Sequence, residues 1–320
     1  MEILLVISFI ILISFGIEWL LRKLRVSKFE QRYVLVTGCD TGFGNMLAKR
    51  LDVMRFRVFA GCYTNSAVTQ LTEECSENLT AIQVDVSSAT SIDKMVETIK
   101  NKLPTDKGLW AVVNNAGVTG TAGQCTWQTK EDFENVLSVN FYGVALVTNA
   151  LTPLIIKEKG RIINTSSMMG RIAFGQVTYV VSKYCVEAYS DVLRRELYRT
   201  GVKVCIVEPG AFKTGIIDPK GQQKRLEDKV KNLPEEIKKT LRDDYINQCM
   251  TNFIKATSKA SVNVNEVVEA YEHALTAKYP KKRYLVGNDA KYMMRLLWTL
   301  PECISDYLID KMIGRKMNKK

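Results

Sequence analysis

The sequence predicts one α/β domain: a doubly wound, mainly parallel sheet of about seven strands, carried behind an N-terminal apolar helix. Three observations lead there. Short β-branched or aromatic runs bounded by turn residues recur along the chain, and helical patterns separate most of them. The first run passes directly into a glycine-rich turn. A length of 320 residues suffices for one full core and does not require two.

Residues 3–21, ILLVISFIILISFGIEWLL, hold a single charge, Glu18, and as a helix would span roughly 28 Å, the hydrocarbon thickness of a bilayer. A cleaved signal peptide is the competing reading, with Ser14-Phe15-Gly16 as a small-x-small site. The basic residues, however, follow the apolar run and do not precede it, which suits an uncleaved anchor over 1–28 whose C-terminal side faces the cytosol. Strands are then expected at 33–37, 58–62, 80–84, 109–114, 161–165, 203–208 and 283–286, so that 29–288 forms the domain. The rhythm breaks at 212–262, a charge-rich helical excursion beyond a strand's carboxyl end, where a ligand lid would sit. Last comes 289–320, with an amphipathic stretch over 289–310 that would either dip into a membrane interface or pack on the core, and a basic tail.

The net charge of +11 is concentrated in 22–32 and 311–320. Basic clusters beside apolar segments fit a membrane surface, and no nucleic-acid-binding motif accompanies them. The eight cysteines show no metal-ligand spacing, and Cys62 and Cys205 lie in apolar runs as small hydrophobes. The single histidine, His273, falls within a helical pattern, so neither a histidine-built metal site nor Ser-His-Asp hydrolysis is expected.

The turn TGCDTGFG supplies Gly38, Gly42, Phe43 and Gly44 between a strand and a helix, the context in which backbone amides receive a pyrophosphate. The second strand ends in CYTNSAV (62–68), without the acid that meets an NAD ribose or the arginine that meets an NADP phosphate. Asp40 and the lack of basic residues nearby disfavour an extra phosphate, so NAD is expected over NADP. Further on, Tyr179 and Lys183 stand one helical turn apart in YVVSK, after a serine pair at 166–167. A phenol is a weak base at neutral pH, and an adjacent ammonium favours its ionised form.

The TGxxxGxG turn, NNAG (114–117), the serine pair and YxxxK, in that order, resemble the short-chain dehydrogenase/reductase family over roughly residues 30–215. Within that span and beyond it, TGCDTGFG, LWAVVNNAGV, SKYCVEAYSDVLRRELYRTGVKVCIVEPG and GNDAK are similar to its membrane-associated retinol and hydroxysteroid dehydrogenase branch, which also holds 3-hydroxybutyrate dehydrogenases. The resemblance implies a Rossmann-type fold and hydride transfer between a nicotinamide and an alcohol, with Tyr179 as acid/base. It implies Lys183 on the nicotinamide ribose, Ser167 (or its neighbour Ser166) on the substrate oxygen, and Asn140 holding a water behind Lys183. It also implies Asp85 at adenine, Asn114 and Gly117 at its ribose, and Pro209–Thr214 over the nicotinamide; strand-end packing alone would equally explain Asn114 and Gly117. A lipophilic alcohol or ketone at the endoplasmic reticulum membrane is the expected substrate class, against 3-hydroxybutyrate or a silent NAD-binding scaffold. A homo-oligomer is left open.

Overall fold

The computed structural model describes residues 2–313. Its strands β1 (Tyr33–Thr37), β2 (Arg57–Cys62), β3 (Leu79–Gln83), β4 (Ala111–Asn114), β5 (Arg161–Thr165), β6 (Lys203–Pro209) and β7 (Arg283–Val286) pair in the order β3-β2-β1-β4-β5-β6-β7. Every neighbouring pair is parallel, and all seven expected strands are present within two residues of their expected bounds. The order reverses between β1 and β4, which opens a crevice at their carboxyl ends.

The helices are α1 (Glu2–Lys23), α2 (Gly42–Val53), α3 (Asn65–Glu74), α4 (Ala89–Lys102), α5 (Lys130–Leu137), α6 (Val144–Lys157), α7 (Val177–Glu196), α8 (Pro219–Lys231), α9 (Glu235–Thr240), α10 (Tyr245–Ser258), α11 (Asn265–Thr276), α12 (Arg295–Leu297) and α13 (Glu302–Ile313). Strand alternation sorts their packing: Val34 and Val36 point to the layer holding Leu47, Leu51 and Tyr271, whereas Leu35 points to the layer holding Ile99, Leu151 and Ile155. The continuous helical run 130–157 is apolar and long enough to cross a membrane, yet Val147, Leu151 and Ile155 are fully buried against the sheet. It is a core helix.

By contrast, α1 leaves Phe9, Ile13, Phe15, Ile17, Trp19 and Leu20 exposed. Twenty-two residues give it a length of about 33 Å. Its root is tied down by Val26 N donating to Thr276 O (2.7 Å) and Lys278 N donating to Leu24 O (2.8 Å). His273 serves that joint, with Nδ1 2.8 Å from Tyr284 Oη and Nε2 3.1 Å from Arg22 O.

The excursion after β6 closes on itself, because Phe212 and Ser261 form a parallel bridge at its two ends. Between them α8, α9 and α10 build a satellite core of Leu226, Leu233, Leu241, Tyr245 and Met250 around Trp127. The C-terminal segment packs one set of side chains on the core and leaves another exposed. Ala290, Met294 and Leu297 pack on Met168 and Ile172, while Tyr292, Met293, Leu296, Tyr307 and Leu308 are exposed. Most of the basic tail, 314–320, lies outside the described residues.

Arg283 on β7 joins three carboxylates: it pairs with Glu187, with Glu208 at 2.8 Å and with Asp191 at 2.9 Å. Burial, then the proximity of Glu187, pushes the Glu208 carboxyl up to about 7 despite Arg283 and Arg171. Removing the guanidinium would strand buried carboxylates, so Arg283→Met should cost about 3 kcal/mol in urea unfolding. A carboxyl whose folded pKa exceeds its unfolded value gains stability as pH falls. The deficit should therefore be smaller at pH 5 than at pH 8, and a deficit independent of pH would contradict the assignment.

Candidate active site

The site is assembled at the carboxyl edge of the sheet. Gly38 (φ +71°) and Gly42 (φ +63°) both adopt the left-handed conformation as β1 turns into α2. A Cβ on Gly38 would lie 2.7 Å from Ala116 Cα, and one on Gly44 would lie 2.2 Å from Gly38 O. The mouth of α2 is therefore walled by backbone, the cradle a dinucleotide pyrophosphate fits. A cavity of ≈ 600 Å³ continues from it, lined by Gly42, Met46, Lys213, Thr214 and Ile254 among others. Thr214 sits directly opposite Gly42, and Phe43 meets Phe212 edge-on at 5.8 Å. A second cavity of ≈ 630 Å³ lies at the root of α1, beside Trp19 and His273, away from these residues.

Thr37 Oγ1 accepts from Asn115 N and Ala116 N, each at 3.1 Å, and Asn115 Nδ2 donates to Thr37 O and Gly38 O at 3.0 and 3.1 Å. The NNAG turn is thus stapled to the glycine turn through Asn115, which the sequence reading passed over. Asn114 faces inward: its Nδ2 donates to Thr148 Oγ1 and Asn164 Oδ1, both at 2.9 Å, tying β4 to α6 and β5. At the other end of the crevice, Asp85 Oδ1 accepts from Ser87 N and Oγ, shaping the turn after β3. Asp40 also shows more than the sequence did. Its carboxylate reaches the end of β2 and accepts from Tyr63 N (2.8 Å), Thr64 N (2.9 Å) and Thr64 Oγ1 (2.8 Å). The glycine turn thus places a carboxylate beside the end of β2.

Helix α7 presents Tyr179 and Lys183 on one face, with Lys183 Nζ 5.5 Å from the tyrosine ring centroid. Ser167 lies beside the Tyr179 phenol, whose pKa it lowers, and its Oγ accepts from Met169 N at 3.2 Å. Ser166 turns away, its Oγ donating to Lys183 O at 3.3 Å. Of the serine pair, Ser167 is the one that faces the phenol. Asn140 lies in a π-helical turn (Ser138–Gly143) between α5 and α6. Its Nδ2 donates to Val118 O and Ser182 Oγ, both at 2.9 Å, and its Oδ1 accepts from Val118 N at 2.8 Å. Gly117 comes beside both: a Cβ there would stand 3.4 Å from Asn140 Oδ1 and 3.8 Å from Lys183 Nζ. Pro209 closes the group from β6, its carbonyl 3.5 Å from Ser167 Oγ. The structure thus brings Asn140, Gly117, Ser167, Tyr179, Lys183 and Pro209 together, and places Asp85 towards the β3 edge.

The electrostatics differ from the sequence expectation. Burial pushes the Tyr179 phenol above its ordinary value and outweighs the lowering that the neighbouring Ser167 supplies. Lys183 is itself buried; that burial brings it from 10.5 down to about 8, with Glu187 opposing. Its Nζ donates to Thr165 O at 3.0 Å. A lysine with a depressed folded pKa costs most below that pKa, and the cost fades as pH rises towards the unfolded value. Lys183→Met should therefore stabilise the fold by roughly 1–2 kcal/mol at pH 7. The gain should shrink between pH 8 and 10, as thermal melts across that range would record.

A profile of the family described as short chain dehydrogenase matches residues 32–225. The chain is 40% identical over 295 residues to human 17-beta-hydroxysteroid dehydrogenase type 6, covering 92% of this chain and 93% of that one. It is 39% identical over 302 residues to retinol dehydrogenase 7 of Rattus norvegicus, covering 92% and 94%. The fold matches a short chain dehydrogenase/reductase from Burkholderia phymatum solved in complex with NAD, with a TM-score of 0.68 at 18% identity over 92% of this chain and 99% of that one. The chain belongs to the short-chain dehydrogenase family and is an oxidoreductase that acts on CH–OH groups with a nicotinamide cofactor.

Proposed function

We propose that the enzyme interconverts a lipophilic alcohol, a retinol or a hydroxysteroid, with its aldehyde or ketone, using NAD. The observation that carries the mechanism is the meeting of Ser167 with the Tyr179 phenol beside the buried Lys183 ammonium. In oxidation, Ser167 Oγ holds the substrate oxygen while Tyr179, having first given up its own proton, takes the hydroxyl proton as the phenolate; in reduction the phenol returns it. Lys183 serves the phenolate as a cation and the nicotinamide ribose as a donor. Asn140, fastened to Val118 and Ser182, keeps the ground behind Lys183 in place. The nicotinamide, when bound, supplies the hydride acceptor for oxidation and the donor for reduction.

The substrate class rests on the relatives' names and on the apolar surroundings of Ser167. Met168, Ile172, Met169 and Phe174 flank it and carry the C-terminal segment on their outer side. Residues 1–28 act as the membrane anchor, 29–288 as the catalytic domain, 212–262 as a lid and 289–320 as a second membrane-contacting segment. The exposed apolar side chains of α1, followed by Arg22, Lys23, Arg25, Lys28 and Arg32, support an anchor with the catalytic domain on the cytosolic side of the endoplasmic reticulum. The choice of NAD rests on Asp40, whose carboxylate at the end of β2 would repel a 2′-phosphate.

Full-length enzyme in detergent, offered retinol, hydroxysteroids and 3-hydroxybutyrate with NAD and NADP in parallel, should turn over the lipophilic alcohols. Tyr179→Phe should lower kcat by about 10²–10⁴ with NADH affinity held within about twofold, since the phenol meets the reacting oxygen and not the adenosine. Retention of a tenth of the activity would sink the acid/base role. Wild type should favour NAD, and Asp40→Asn should raise the NADP/NAD ratio of kcat/KM by about tenfold by removing the repelling charge. A wild-type preference for NADP would refute the reading of Asp40.

A further inference from the structure

The string GNDAK (287–291) has no part in the chemistry above. Its carboxylate, Asp289, opens the π-helical turn Asp289–Met294 beyond β7 and reaches sideways to the end of β6. Asp289 Oδ2 accepts a hydrogen bond from Ala211 N at 2.7 Å, and Oδ1 accepts from Ala290 N at 2.8 Å. Two glycines make room for this approach. A Cβ on Gly210 would stand 2.0 Å from Oδ1, and one on Gly287 (φ +96°) would stand 2.6 Å from the same oxygen. No side chain larger than hydrogen fits at Gly210 while the carboxylate is in place.

The loop that Asp289 grips is fastened on its other flank as well. Ser261 N donates to Ala211 O and Lys213 N donates to Ser261 O, both at 2.9 Å, at the point where the excursion closes. Phe212 lies between Phe43 of the glycine turn and Gly287, whose Cβ would meet its ring at 3.3 Å. Gly210 N donates to Val286 O at 2.8 Å, continuing the β6–β7 ladder by one bond. The backbone of 210–213 is thus strung between the end of the excursion and the carboxylate. Only the Asp289 contact is a charged acceptor meeting a backbone donor, the stronger kind of bond.

We propose that Asp289 is the positioning residue for the nicotinamide half of the cofactor. By holding Ala211 N it sets the height of the Pro209–Gly210–Ala211 turn over the crevice, and so makes the C-terminal segment part of the cofactor site. This rests on reading 209–214 as the cover of the nicotinamide. A contact that acts on that half alone leaves the adenosine half untouched, and the two halves can be measured separately.

Fluorescence titration with NADH and calorimetric titration with ADP-ribose, which lacks the nicotinamide, provide the test on the full-length enzyme. Asp289→Ala should weaken NADH by about tenfold and leave ADP-ribose within about twofold, as expected for loss of one charge-assisted bond. Asp289→Asn, which keeps one acceptor oxygen, should fall between Asp289→Ala and wild type, and it decides the matter if the alanine variant does not fold. Gly210→Ala places a methyl group where the carboxylate sits and should show the same split between ligands. Combined with Asp289→Ala it should add nothing, because both remove one contact. Unchanged NADH affinity, or equal loss of both ligands, would overturn the proposal, since a purely structural role would not separate them. If NADH and ADP-ribose bind wild type equally tightly, the cover reading of 209–214 falls and this proposal with it, while the Tyr179 mechanism keeps its own test.

Discussion

The burial of one ammonium governs the arrangement of the site. Lys183 is withdrawn from water on α7, where its Nζ donates to Thr165 O, and Glu187, one turn further along the same helix, favours its charge. Glu187 is in turn held by Arg283, which also answers Glu208 and Asp191. The charge on α7 is therefore linked, through Glu187 on the same helix face, to a residue of β7. Burying an ammonium in this way costs stability unless it is compensated.

Around that ammonium the chain brings backbone to backbone. The glycine turn and the NNAG turn approach so closely that Gly38 and Gly44 have no space for a side chain, and Thr37 and Asn115 bind the two turns together. The π-helical turn at Asn140 then reaches the same stretch through Val118 and passes it on to Ser182 of α7. Parallel strands make this economical. All carboxyl ends lie along one edge, so residues from β1, β4, β5, β6 and the helices after them converge there without long reaches.

The two segments with exposed apolar side chains connect to opposite ends of this architecture. The root of α1 is paired with the chain after α11, near the amino end of β7, whereas the C-terminal segment leaves the carboxyl end of β7 and covers the apolar flank beside Ser167. The end of β6 lies between the excursion and that segment.

Local periodicity was enough to establish the seven strands, the helices between them, the glycine turn and the one-turn spacing of Tyr179 and Lys183. Each depends on residues within a few positions of one another, and the side-chain repeat of a strand or helix is written in that window. Tertiary structure decided what comes from afar: which of two adjacent serines faces the phenol, which of two adjacent asparagines staples the turns, and how Asp40 reaches β2. It also decided that Asp289 meets Ala211, across 78 residues, and that burial dominates the Tyr179 and Lys183 equilibria. Alternation along a strand says that neighbours point to opposite faces, but not which partner waits there. Desolvation depends on the packing of every layer at once, and no short stretch of sequence contains it.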